Sequence, residues 1–350
     1  MSDSSLLPNY SLIPPYMLEE IINNGDTRQK DHASLTLIDI NRLLITDPVP
    51  QANKKYDNIN KNKLVRSISD AKNQESLPGI LVRKEADPAT SDIAVNEAYD
   101  YLGITYNFFW QKFGRRSLNN QGMPLDASVH YSTSYQNAFW NGERMVFGDG
   151  DGQIFNRFTI AIDIIAHELA HGVTESEAGF AYYGQSGALN ESISDVFGAM
   201  VKQFHNNQTA AQADWIIGEK LLNSNINAIG LRSMSAPGTA YNDPLLGKDP
   251  QPDHMDNYIS TRQDNGGVHL NSSIPNKAFC LAAKKLGGYS WEYAGKIWYN
   301  ALCDKEMKRK ADREGANFFN FAECTITHAR LFSEQAARQV QSAWHEVGVW

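Results

Sequence analysis

The sequence predicts an α+β protein with a mixed first half and a mainly helical second half. Three observations predict it. Short strand-like runs separated by turns fall between residues 62 and 150. A largely apolar run, Thr159-Ile160-Ala161-Ile162-Asp163-Ile164-Ile165-Ala166, contains neither Pro nor Gly, as a buried helix would. Beyond residue 185 apolar residues recur mostly at helical spacing.

Taken in chain order, Met1-Ser2-Asp3-Ser4-Ser5 has no basic start and no apolar core follows it, so no classical signal peptide is expected. Leu12-Ile13-Pro14-Pro15-Tyr16 comes next, and Pro-Pro is expected to hold the backbone extended as far as Tyr16. An amphipathic stretch with Leu18, Ile21 and Ile22 then ends at Asn23-Asn24-Gly25-Asp26. Polar and Pro residues at 46–53, with an Asn/Lys-rich run after them, mark an exposed linker. Gly79-Ile80-Leu81-Val82 and Val129-His130-Tyr131-Ser132 read as strands, and residues 92–113 as a helix between them. The helix of the 159–171 region is expected to stop at Gly172, where Val173 and Thr174 also weaken it. Further helices are expected over 274–286 and 334–347.

The chemistry gathers in the middle of the chain. His167-Glu168-Leu169-Ala170-His171 puts two imidazoles four residues apart on one helix face, so both can reach one ion. Glu168 lies about 100° round from His167, able to touch a metal-bound water without being a ligand. Downstream, Leu189, Ile193, Val196, Phe197, Met200 and Phe204 form an apolar helical stripe. Glu191 and Asp195 stand i,i+4 on its opposite side, where two acids repel unless a cation is near. Alone they would read as a solvated face. With two histidines lacking a third ligand, Glu191 completes a three-ligand zinc site with one open position, the catalytic arrangement. Asp195 is then expected to hold the far N–H of a liganding histidine, His167. Asp264 and His269 lie five apart across an Asn-Gly-Gly turn, which suits a bend bringing carboxylate beside imidazole.

These residues, with Asn137-Ala138-Phe139-Trp140-Asn141-Gly142, Gly148-Asp149-Gly150-Asp151-Gly152, Gly187-Ala188-Leu189-Asn190-Glu191 and Leu231-Arg232-Ser233-Met234, occur in a specific order. The chain resembles the thermolysin family of zinc metalloendopeptidases, and most of all its short-propeptide, protealysin-like branch. The resemblance runs from about residue 62 to the C-terminus. It implies a thermolysin-like zincin with an α+β domain over 62–182, a mainly helical domain over 183–350, and one catalytic zinc in the cleft between them. Residues 1–50 would be a short inhibitory propeptide, with a linker to about 61, and Pro14, Pro15 and Tyr16 would block the cleft. Outside such a family, Pro-Pro would more simply mark a docking or turn segment.

The resemblance also implies roles. Glu168 would be the general base, with His269 and Tyr182 stabilising the oxyanion and Asp264 orienting His269. The sequence alone does not separate Tyr182 from Tyr183. Arg232 would bind a substrate carbonyl, and Asn137 with the Ala138 backbone would dock the peptide as a strand. Phe155, Phe158, Ile164 and Leu231 would line a pocket for the side chain after the cut, although ordinary core packing also explains four apolar residues. Asp163, Asp214 and Glu219 match calcium-ligand positions, but Lys202 and Ile216 stand where acids are expected, so the double calcium site should be lost.

The expected function is a neutral zinc endopeptidase cutting on the N-terminal side of bulky apolar residues. The alternative is a permanently blocked, non-catalytic zincin-like binding protein. A structural zinc protein would want a fourth protein ligand. A net charge of −8 over 350 residues argues against nucleic acid as the main partner, and no apolar stretch approaches membrane-spanning length. Three cysteines without C-x-x-C spacing suggest neither a disulfide framework nor a cysteine metal site. A monomer is expected, cytoplasmic or released without a classical signal peptide, acting on peptide and protein substrates.

Overall fold

The computed structural model describes residues 10–45 and 63–350. The expected release region at 46–53 and the Asn/Lys-rich run after it lie outside the described residues.

The first described residues form a short strand, β1 (Tyr10–Ser11), then helices α1 (Pro15–Asn24) and α2 (Thr27–Ile45). Pro15 opens α1 at a position where its missing N–H costs nothing. Met17, Leu18 and Ile21 form its buried face. This corrects the expectation of an extended stretch ending at Tyr16. Only Pro14 is extended (φ −69°, ψ 147°), while Pro15 and Tyr16 are already helical.

The mixed half contains β2 (Arg66–Asp70), β3 (Ile80–Lys84), α3 (Ile93–Phe113), β4 (Leu125–Val129), β5 (Ala138–Trp140) and β6 (Met145–Phe147). The Asp92 carboxylate caps α3 by accepting from the Ala94 and Val95 N–H groups, and Gly114 closes it at φ 65°. The strands form one sheet in the order β1-β5-β6-β4-β2-β3, with β4 parallel to both its neighbours, β2 and β6. β4 ends at Val129, three residues before the expected Ser132. His130 and Ser132 take left-handed backbones (φ 56° and 52°), and the His130 ring is held between Asp92 and Asp149.

Two long helices, α4 (Ile162–Glu177) and α5 (Gly184–Asn206), pack against each other across the middle of the molecule. The apolar run opens with a single 3-10 turn at Phe158–Ile160, and α4 begins only at Ile162. Gly172 does not stop α4, which runs on to Glu177. Its place is set by packing, since a Cβ there would lie 2.9 Å from the Leu118 side chain. Gly198 on α5 serves the helix crossing, because a Cβ would meet the Asp163 carbonyl oxygen at 2.6 Å. The close approach brings Glu191 and Asp195 onto the histidines of α4.

Two ribbons follow, β7 (Ile216–Ile217) with β8 (Arg232–Ser233), and β9 (Asn242–Asp243) with β10 (Gly247–Lys248). The remainder is helical: α6 (Asp264–Asn271), α7 (Ser273–Leu286), α8 (Ala294–Leu302), α9 (Lys305–Glu314), α10 (Phe318–Arg330) and α11 (Glu334–His345). α7 and α11 lie within two residues of their expected bounds. Aromatic rings carry the core across both halves: Phe109 of α3 meets Phe197 of α5 at 4.9 Å, and Trp298 stacks on Trp344 at 5.9 Å.

Candidate active site

α4 and α5 supply the centre of the site. His167, His171 and Glu191 are fully buried and converge, with His167 Nε2 3.1 Å from His171 Nε2 and each within 3.5 Å of a Glu191 oxygen. The far nitrogens are engaged, His167 Nδ1 with the Asp195 carboxylate and His171 Nδ1 with the Asn190 carbonyl oxygen, both at 2.8 Å. Both acceptors require an Nδ1–H, so both Nε2 atoms present lone pairs. Two lone pairs facing at 3.1 Å beside a carboxylate repel unless a cation lies among them. The donor set of two imidazoles and a carboxylate, with a polar second rank, fits zinc.

The electrostatics agree. Burial pushes His171 down to about 3, against the pull of Glu191, so its ring is neutral and free to bind a metal near pH 7. Burial works against the Asp195 carboxylate, but Arg232 and then His167 outweigh it and hold its pKa low. Arg232 clasps Asp195 through Nε and Nη2, both at 2.8 Å, and Asn276 donates to the same carboxylate at 2.8 Å. Glu168 is raised well above the carboxylate range, first by burial and then by Glu191. Neither of its oxygens makes a sound hydrogen bond.

On the facing wall, the sharp bend at Asp264–Gly267 places Asp264 against His269, as the spacing led one to expect. Asp264 accepts from His269 Nδ1 at 2.5 Å and from its backbone N–H at 2.8 Å. Burial opposes a charged His269, yet Asp264 and then Glu191 hold its pKa up at about 9. The structure also separates the two tyrosines. Tyr182 donates a short hydrogen bond to Glu191 and lies 3.4 Å from His269 Nε2, while Tyr183 is exposed.

The N-terminal segment lies across these groups. β1 pairs antiparallel with β5, Tyr10 opposite Trp140 and Ser11 opposite Phe139. His269 Nε2 donates to the Ser11 carbonyl at 2.8 Å, and Arg232 donates to the Leu12 carbonyl at 3.3 Å. Leu12 N–H reaches the Ala138 carbonyl at 3.1 Å, while the Asn137 amide pairs with both Ile13 backbone groups at 2.9 and 3.2 Å. The Tyr10 ring stacks on His171 at 4.3 Å. Pro14, Pro15 and Tyr16 therefore do not themselves cover the histidines. Tyr10 covers His171 and Ser11 meets His269, and Tyr16 packs beyond them with its hydroxyl on Tyr241. Phe155, Phe158, Ile164 and Leu231 are all buried, with Phe155 and Phe158 ring centroids 5.8 Å apart.

Sequence reasoning did not find Asn190, Asn276 or Tyr10. Asn190 was open to discovery as the neighbour of Glu191 facing His171. Asn276 and Tyr10 act only through tertiary placement, and no local pattern marks them.

Comparison with known proteins gives the same picture. Residues 33–175 match the family model described as thermolysin metallopeptidase, catalytic domain, and residues 178–349 that described as thermolysin metallopeptidase, alpha-helical domain. The extracellular metalloprotease of Pectobacterium carotovorum subsp. carotovorum is 58% identical over 344 residues, 98% of this chain and 97% of that protein. Thermolysin of Alicyclobacillus acidocaldarius is 37% identical over 293 residues, 80% of this chain and 50% of that one. The structure of the precursor of protealysin, a metalloproteinase from Serratia proteamaculans, superposes with a TM-score of 0.88 at 58% identity, covering 97% of this chain and 99% of the other. Two buried histidines and a glutamate around one ion's space, in a chain matched by both domain models, have one explanation: the chain belongs to the thermolysin family of zinc metalloproteases.

Proposed function

We propose that this chain is the proenzyme of an endopeptidase that cleaves before bulky apolar residues, held inactive by its own residues 10–13 lying in the cleft as a substrate would. The observation that carries this is the register of that segment. The carbonyl on His269 belongs to Ser11 and the carbonyl on Arg232 to Leu12, so the Ser11–Leu12 peptide bond stands where a bond would be cut. The next side chain, Leu12, is apolar and fully buried. Phe155, Phe158, Ile164 and Leu231 then form the pocket for the residue after the cut. Asn137 and the Ala138 carbonyl hold the peptide in its strand.

Zinc held by His167, His171 and Glu191 supplies a Lewis acid and a water acidic near neutral pH. Glu168, acting as a carboxylate whose proton affinity burial raises, takes a proton from the attacking water and gives it to the leaving amine. His269 donates to the carbonyl oxygen as charge grows there, and Asp264 keeps its ring charged and aimed. Tyr182 joins it once its hydroxyl turns from Glu191. In the proenzyme that hydroxyl is committed to Glu191 and Tyr10 covers His171, which keeps water and substrate out.

The domain reading follows: propeptide at 1–50, linker to about 61, then 62–182 and 183–350. Lys202 stands among the acids that calcium would need, which supports loss of a double calcium site. A relative named extracellular metalloprotease supports release from the cell over a cytoplasmic role. Among the described residues no helix is long and apolar enough to cross a membrane.

Glu168→Ala tests the reading. It should keep the catalytic zinc and the fold but lose roughly a thousandfold in cleavage of a peptide with Leu or Phe after the scissile bond. Wild-type cleavage by that variant would sink the assignment.

A further inference from the structure

Among the described residues, two groups of His, Cys, Asp and Glu bring three donor atoms within 4.8 Å of one another. One is the catalytic set. The other is Asp304, Cys324 and His328, in the helical half and shared between the N-terminus of α9 and one face of α10. We propose that these three residues bind a second zinc-like divalent ion.

Cys324 and His328 stand i,i+4 on α10, the spacing that lets His167 and His171 share an ion on α4. Asp304 is fixed from behind. Its Oδ1 caps α9, accepting from the Glu306 and Met307 N–H groups at 2.7 and 3.2 Å, which leaves Oδ2 aimed at His328. Backbone bonds that orient a carboxylate this way are what metal ligands need from their second rank. A simple ion pair accounts for only part of the cluster. His328 Nε2 lies 3.0 Å from Asp304 Oδ2, but His328 Nδ1 is shielded from solvent without a partner. The Cys324 sulfur finds only the Ala301 carbonyl, at 3.9 Å. Lys310, whose charge is felt at Cys324, turns to Glu323 at 3.5 Å rather than filling the space.

The donors identify the ion class. One sulfur, one imidazole and one carboxylate suit zinc or cobalt at bond lengths of ~2.0–2.3 Å and are wrong for calcium or magnesium, which want oxygens. On binding, the Cys324 thiol gives its proton to solvent and sulfur takes the metal bond. Water takes the fourth position. The ion would staple the turn between α8 and α9 to α10, far along the chain from the catalytic ligands, so its role is to brace the helical domain.

The test uses the full chain carrying Glu168→Ala, which removes the base and leaves every proposed ligand. After dialysis against metal-free buffer, metal analysis should find two zinc ions per chain. Adding Cys324→Ser or His328→Ala should leave one, as should adding His171→Ala at the catalytic site. Cobalt replacement gives a readout that folding alone would not move: a thiolate-to-cobalt charge-transfer band that persists in the His171→Ala chain and vanishes with Cys324→Ser. One zinc per chain without that band, in a parent whose circular dichroism is native, overturns the proposal and leaves His328 and Asp304 as a structural pair.

Discussion

At the scale of single residues, Lys202 shows how one side chain can stand in for an ion. Its ammonium lies 2.9 and 3.0 Å from the two Asp214 oxygens, 3.1 Å from the Ile216 carbonyl and 3.2 Å from Glu219. Buried Asp163 also feels it. Burial raises that carboxyl's pKa, and the lysine charge is the chief influence pulling it back. Replacing Lys202 by Met should leave the acids facing one another. Removing one partner of a buried pair costs ~3–5 kcal/mol, and since Asp214 and Glu219 are half-exposed, a loss of ~2–3 kcal/mol is expected. The vacated oxygens are what calcium takes. Thermal unfolding with added calcium should therefore recover stability in Lys202→Met while leaving the parent unmoved at this site. A variant as stable as the parent, or indifferent to calcium, would show that the lysine is not the charge that holds this corner. The sequence made this residue visible because a base stood where acids were expected. It did not make Asn276 visible, because an amide donating to Asp195 from α7 follows no local pattern.

At the scale of elements, the ends of α3, β4 and the Gly148–Gly152 loop are tied by one ring. His130 Nε2 lies 2.8 Å from Asp92, the cap of α3, and Nδ1 lies 2.9 Å from both oxygens of Asp149 in the loop. Asp149 first, then Asp92, raise the His130 pKa from its ordinary 6.5 to about 9 against the cost of burial. A raised folded pKa means that the clasp's contribution is fully present below pH 6.5 and fades as pH rises through about 9. His130→Gln should remove this part of the alkaline loss, so that the difference in unfolding free energy between the two chains shrinks from pH 6.5 towards pH 9. A constant difference across that window would place the clasp's value elsewhere. The same residue explains why β4 was misread. Val129-His130-Tyr131-Ser132 has strand-like residues, but a left-handed His130 gives up the ladder to reach two carboxylates. α3, by contrast, was legible to within a residue, since both of its ends carry local signals: an Asp cap and a left-handed Gly. Gly172 misled for the opposite reason. A glycine reads as a helix stop from local chemistry, while here it lies in the packing surface, where a Cβ would come within 2.9 Å of the Leu118 side chain.

At the scale of the whole molecule, the zinc helices were readable because His167 and His171 on α4, and Glu191 and Asp195 on α5, are each spaced one turn of a helix apart. The occupant of the cleft was not, because β1 gains its structure only by joining an existing sheet edge. That edge decides how inhibition ends. The N-terminal segment buries Leu12, Ile13, Met17, Leu18 and Ile21 almost completely, and α2 is pinned to the body by Gln136 N–H on Thr36 and by Tyr131 on Asp39. Each fully buried apolar side chain contributes ~1.5–3 kcal/mol, so these contacts do not vanish when the chain is cut. What cutting removes is the tether, which holds the strand at an effective concentration on the order of millimolar. Inhibition by the severed segment then depends on protein concentration. A peptide of residues 1–50 added to protein beginning near residue 62 should inhibit cleavage, and dilution should relieve it. Leu12→Asp in that peptide places a carboxylate where a fully buried apolar side chain sits. A loss of ~3 kcal/mol there corresponds to roughly a hundredfold weaker inhibition. Ile38→Asp, on the exposed face of α2, should change little. Equal inhibition by the parent and Leu12→Asp peptides would mean that α1 and α2 block the enzyme without the strand, and that residues 10–13 are passengers in the cleft.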